Sequence, residues 1–170
     1  MLLAPSESPA RSEIDVRHPR PDGSVRWFAI TARTYFEGAG PDRIARFVTG
    51  TCQDITERRA AEEALRERVT AYYQALIAKD YKGAYAFFTP GYRSTWSATD
   101  HYQIHPIIGA YLDAEVLAVD CVSDAACDVT VRTRFRFNDN VAPLGGQELP
   151  MDTKHRWLKV EGDWYYLPKT

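Results

Sequence analysis

The sequence predicts an α+β protein in two parts: a three-stranded antiparallel sheet with a trailing helix, then helices packed on a curved antiparallel sheet. Three observations carry this prediction. Residues 1–68 contain eleven arginines and no lysine, whereas 69–170 contain five of each. Nine of the ten tyrosines and three of the four tryptophans follow residue 68, so the later part needs a core of large amphipathic rings. The apolar pattern changes along the chain, from alternation broken by turn residues, to a three-and-four spacing after Val69, and back to alternation from Ala114. A boundary near Arg68 follows, and 170 residues suffice for one full domain and a smaller appendage.

The opening stretch with Pro5, Ser6, Ser8 and Pro9 reads as a disordered tail, residues 1–12. Glu13 to Arg17 alternates polar and apolar residues, and Pro19-Arg20-Pro21-Asp22-Gly23 supplies the turn of a hairpin. Ser24 to Phe36 continues as a strand, Glu37 to Asp42 breaks it, and Arg43 to Gly50 gives a third, so 13–55 is a small sheet. Asp54-Ile55-Thr56 offers an N-cap to a helix of Glu, Arg and Ala over 56–68.

From 69 to 170 the reading is a second domain. Val69, Tyr72, Tyr73, Leu76 and Ile77 mark an amphipathic helix that ends near Asp80, and the preceding helix can run straight into it. Ala84 to Phe88 reads as a short helix stopped by Thr89-Pro90-Gly91. The stretch from Trp96 to Tyr111 fits either a third helix or irregular cover. Strands are predicted over 114–122, 127–138, 153–161 and 164–167, with turns at Ser123–Ala126 and Glu161-Gly162-Asp163.

Charge and hydropathy narrow the function classes. The net charge is −2, so nucleic acid is not an expected partner, and no apolar run approaches the roughly 18 residues of a membrane span. Met1-Leu2-Leu3-Ala4-Pro5 lacks a basic leader, and a cytoplasmic location is expected.

Two stretches resemble known families. Arg20-Pro21-Asp22-Gly23-Ser24-Val25-Arg26-Trp27, together with Gly50-Thr51-Cys52-Gln53-Asp54-Ile55-Thr56-Glu57-Arg58 and the helix after it, is similar to the C-terminal part of PAS domains, the PAC motif. The resemblance implies a signalling context, with Asp54 and Thr56 ending the last strand and starting a relay helix. Only that part of the family's domain is covered, so no cofactor is expected with it. Tyr72-Tyr73-Gln74-Ala75-Leu76, Phe87-Phe88-Thr89-Pro90 and the closing Trp157 to Leu167 resemble the NTF2-like fold, which includes the SnoaL and ketosteroid isomerase enzymes. That resemblance implies a cone of helices packed on a curved antiparallel sheet and commonly a homodimer.

Candidate chemistry is sparse. An isomerase or cyclase would need a buried carboxylate beside hydroxyl donors, and Asp100, Asp120, Tyr72, Tyr85 and Tyr102 qualify by residue type alone. His101 and His105 have a spacing that could hold a metal on a helix, but Pro106 and the lack of a third ligand argue against it, and no metal is expected. Arg132, Arg134 and Arg136 share one strand face, either paired with carboxylates or free for self-association. Cys121 and Cys127 flank a turn and could pair, whereas Cys52 reads as a structural thiol. The reading is therefore a non-catalytic ligand-binding or self-associating module, expected as a homodimer, with a small apolar ligand lined by Tyr72, Phe88, Trp96, Tyr102 and Trp157. A small isomerase using a buried carboxylate is the alternative.

Overall fold

The computed structural model describes residues 10–38, 43–103 and 105–168. The chain divides into two compact units between Ala61 and Glu62. In the first, β1 (Ala10–Pro19), β2 (Val25–Glu37) and β3 (Ile44–Asp54) form an antiparallel sheet in the order β1-β2-β3. Residues 10–12 of the expected tail thus belong to β1, and the rest of that tail lies outside the described residues. Gly23, at φ +82°, closes the hairpin in the left-handed region that glycine enters at no steric cost. Asp54 accepts hydrogen bonds from the Thr56 amide (2.9 Å) and hydroxyl (2.6 Å), and the Thr56 hydroxyl oxygen accepts from the Trp27 amide at 2.9 Å. This knot ends β3 and starts α1 (Thr56–Ile77), which passes Arg68 without a break.

In the second unit α1 buries Leu65, Val69, Tyr72, Tyr73 and Leu76, a stripe at helical spacing. Four short helices follow: α2 (Tyr81–Tyr85), α3 (Pro90–Thr95), α4 (Ala98–Tyr102) and α5 (His105–Ile108). Asp80 caps α2, so the helix expected at Ala84–Phe88 lies three residues earlier. Thr89-Pro90 starts α3 instead of only ending what precedes it, with Thr89 as N-cap and proline in the first turn, where its missing N–H is not needed. Then β4 (Gly109–Ser123), β5 (Ala126–Phe137), β6 (Glu148–Val160) and β7 (Asp163–Leu167) form an antiparallel sheet in sequence order.

The predicted fold class needs correction. Strands account for about half of the described residues, in two antiparallel sheets, and α1 is the one helix among them longer than six residues. The expected NTF2-like cone of helices is not formed. The physical reason lies in the segment after α1, where Thr89-Pro90, the Ser97–Asp100 capping box and the start of α5 at His105 each restart the chain. No second long apolar stripe can build up between such closely spaced caps. No described helix is long and apolar enough to cross a membrane.

Candidate functional site

Alternation along β5 and β6 decides what each sheet face carries. Cys127, Val129, Val131, Thr133 and Phe135 are buried on the inner face, and Thr153, His155 and Trp157 share that side on β6. Arg132, Arg134 and Arg136 point outward, where carboxylates meet two of them. Arg132 makes two 2.8 Å bonds to Asp152, and Arg134 reaches Asp113 at 2.8 Å. Arg156 and Lys154 close on Asp128 in the same way. The arginine face is thus largely neutralised within its own sheet, so it offers no strong single-sign surface.

The inner face is dense with rings. Tyr72 packs edge-on against Trp157 at 6.0 Å between ring centroids and lies 6.1 Å from Phe88, which stacks on Tyr102 at 5.9 Å. Four of the five residues expected to line a ligand site, Tyr72, Phe88, Tyr102 and Trp157, are therefore together, but as packed core of which each is at most 6% exposed. Trp96 is not with them. It ends α3 at 48% exposure, with its carbonyl accepting from the Tyr85 hydroxyl. Burial pushes the Tyr72, Tyr73 and Tyr102 hydroxyls well above the usual tyrosine range and Tyr166 up to about 12. At neutral pH these groups hold their protons, and the Tyr73 and Tyr166 hydroxyls hydrogen-bond His155.

Beside this core lies a hydrogen-bonded chain that sequence reasoning missed. The Tyr73 hydroxyl is 2.8 Å from His155 Nε2, Thr153 Oγ1 is 2.9 Å from the same nitrogen, and the Tyr166 hydroxyl is 2.9 Å from Nδ1. In a neutral imidazole one ring nitrogen donates and the other accepts, and the rotatable hydroxyls suit either tautomer. The signal was present in Thr153-Lys154-His155-Arg156-Trp157, since period two puts His155 on the same face as the buried Trp157.

This chain borders a cleft of about 400 Å³ whose walls include Asp152, Thr153, Lys154, His155, Arg156 and Tyr166. Register explains why it is open. β7 pairs with β6 only from Arg156 to Val160, so among the described residues no strand lies beyond β6 from Glu148 to His155. A second hollow of about 280 Å³ lies between α2 and α4, with Tyr81, Lys82, Thr99 and Tyr102 on its walls. Tyr102 is thus the one predicted ligand residue that borders either cavity.

The candidates for acid–base and metal chemistry are placed elsewhere. Asp100 is engaged in capping α4, with Ser97 Oγ 2.6 Å from its carboxylate. Asp120 stands exposed on the outer strand face, 3.8 Å from Lys154. Tyr85 donates to backbone carbonyls of α3 and its cap. His101 Nδ1 lies 2.7 Å from the Tyr92 hydroxyl, and the His105 side chain is outside the described residues. No group of three potential metal ligands occurs among the described residues. Cys121 and Cys127, directly opposed across β4 and β5, form a disulfide, and Cys52 is free and exposed on β3.

Comparison with known proteins gives little. No family model matches the chain, and no curated protein matches it. Among solved structures it is similar to the solution structure of RPA3114, a SEC-C motif containing protein from Rhodopseudomonas palustris, with a TM-score of 0.45 and 19% identity over 65% of this chain and 88% of that one. Neither the PAS nor the NTF2-like, SnoaL-type resemblance finds support in these comparisons, and the sheet-rich architecture replaces both. The motifs behind them mark a turn, a cap and packed rings, features that many unrelated sheets share.

Proposed function

We propose that the unit Glu62–Thr170 is a non-catalytic module that binds a small ligand in the cleft beyond the end of β7. The observation that carries this reading is the Tyr73–His155–Tyr166 chain at the border of a cleft of about 400 Å³, within the range of small-molecule sites. A ligand with an aromatic or aliphatic body and one hydroxyl could insert its polar end toward His155 and Thr153, which already exchange hydrogen bonds with hydroxyls. Lys154 and Arg156 are held by Asp128, so the rim favours a neutral ligand over a strong anion.

The test is a titration of the full chain with a panel of small phenols, followed by NMR. Binding here moves the ring resonances of His155 and Tyr166, and His155→Phe, which keeps a ring and removes both nitrogens, weakens it at least tenfold. Phenols that leave those resonances unmoved, or that bind the variant equally well, would remove this reading.

A further inference from the structure

The first sheet has one face that its own strands leave open. Register places Ile14 and Val16 of β1, Phe28, Ile30 and Ala32 of β2, and Val48, Gly50 and Cys52 of β3 on the same side. The same side ends in His18, Arg26 and Asp54 and is free of charge between that end and Val48, whereas the opposite side carries Arg11, Glu13, Asp15, Arg17 and Arg33. Within the full chain Ile14 remains 60% exposed and Val48 61%, and every described residue of β3 is exposed. An exposed apolar patch of this extent marks an interaction surface.

We infer that this apolar face seats the same face of a second copy of the chain. The size fits. Ten residues along β1 and three strands give a face of roughly 34 by 14 Å, about 480 Å². Two such faces bury roughly 950 Å², near the ~1,000 Å² at which specific interfaces begin. Charge placement favours an identical partner over an unlike one. The Arg26–Asp54 pair, at 2.6 Å, sits at one end of the face, and Ala10, Thr34 and Val48 occupy the other. A two-fold axis lying across the strands near Ile30 sets the charged end of each copy over the neutral end of its mate. No like charges then meet, and no unpaired charge is buried. Gly50 lets β3 approach β2 closely, since a Cβ there would meet the Thr31 carbonyl oxygen at 2.4 Å. This inference is independent of the cleft in the second unit.

Sedimentation equilibrium of the full chain decides it. At roughly 100 μM, where an interface of this size should be populated, the chain is expected at twice its mass. The double variant Ile14→Lys, Val48→Lys should sediment as a single chain with unchanged circular dichroism, because both side chains already stand in water. Thr51→Lys, on the opposite face, should leave the dimer intact. Cys52 gives a readout without substitution, because it is the one free cysteine among the described residues. Its alkylation should slow severalfold as protein concentration rises. A single-chain mass for the unaltered protein, a dimer indifferent to the double variant, or a Cys52 rate independent of concentration would overturn the proposal.

Discussion

The two sheets of this chain are both antiparallel and both sort their residues by alternation, yet they end in opposite states. In the second, one face disappears beneath Tyr72, Tyr73, Phe88 and other rings, and the outer face is laced by Arg132–Asp152 and Arg156–Asp128 pairs. In the first, Arg59 covers Trp27 with its guanidinium 4.1 Å from the ring and bonds Asp15 at 2.7 Å, but the apolar side keeps Ile14 and Val48 in solvent. Alternation thus dictates which face wants cover. It does not supply the cover, and the second sheet obtains it from α1 and the residues around Phe88.

The sharpest way to test this contrast is to remove a ring from the covered face. Phe88 is fully buried against Tyr72, Tyr92, His101, Tyr102 and Tyr166. Phe88→Ala should cost about 3–5 kcal/mol in urea denaturation, whereas Ile44→Ala, at a 68% exposed site in β3, should stay within about 0.5 kcal/mol. Alkali gives the next effect. The folded state raises the Tyr166 pKa to about 12, mainly by burial, against about 10 in the unfolded chain. Its stabilisation is therefore complete below pH 10 and lost as pH climbs through 12, an effect of order 3 kcal/mol from this residue alone. Phenolate absorbance and the loss of tertiary signal should rise together in that window. Reduction of Cys121–Cys127 should cost less, about 2 kcal/mol for so short a loop, seen as a lower melting temperature in reductant.

Much of this arrangement was legible in local chemistry. Pro21-Asp22-Gly23 announced its turn, Asp54 and Thr56 their cap, Val129 to Phe137 their two faces, and the spacing of Cys121 and Cys127 left room for the bond that forms. What failed was the step from local pattern to assembly. Thr89-Pro90 reads equally as the end of one helix and the start of another, and only the Thr89 side chain accepting from the Tyr92 amide decides between them. Tyr72, Phe88, Trp96, Tyr102 and Trp157 all read as candidate ligand walls by residue type, which cannot distinguish a wall from a filled interior or, for Trp96, from surface. His155 stands between Lys154 and Arg156, and those charged neighbours hide its place on the buried face. The open cleft beside it appears only once the register sets Leu167 opposite Arg156, which strand limits alone do not reveal.

The smallest expected effect bears on the exposed sheet and comes from acid. Asp54 holds β3 to α1 by accepting from the Thr56 side chain first, then from the Thr56 amide, and third from Arg26, which together draw its carboxyl down to about 2. A folded-state pKa below the unfolded value of about 3.9 means that the carboxylate stabilises the fold fully above pH 4 and that the contribution fades as pH falls through 2. In the second unit the carboxylates held below the usual range, Asp128 by Arg156, Asp152 by Arg132 and Asp100 by Ser97, lie outside the aromatic core, whose buried tyrosines carry no charge in that range. Acidification from pH 4 to 2 should therefore loosen the β3–α1 junction ahead of the aromatic core. Amide exchange reads this directly, with Thr56 and Trp27 losing protection before Val131 and Trp157. Asp54→Asn, which keeps an acceptor oxygen for Thr56 but cannot titrate, should flatten the acid response, and an unchanged response would assign the acid sensitivity to other carboxylates.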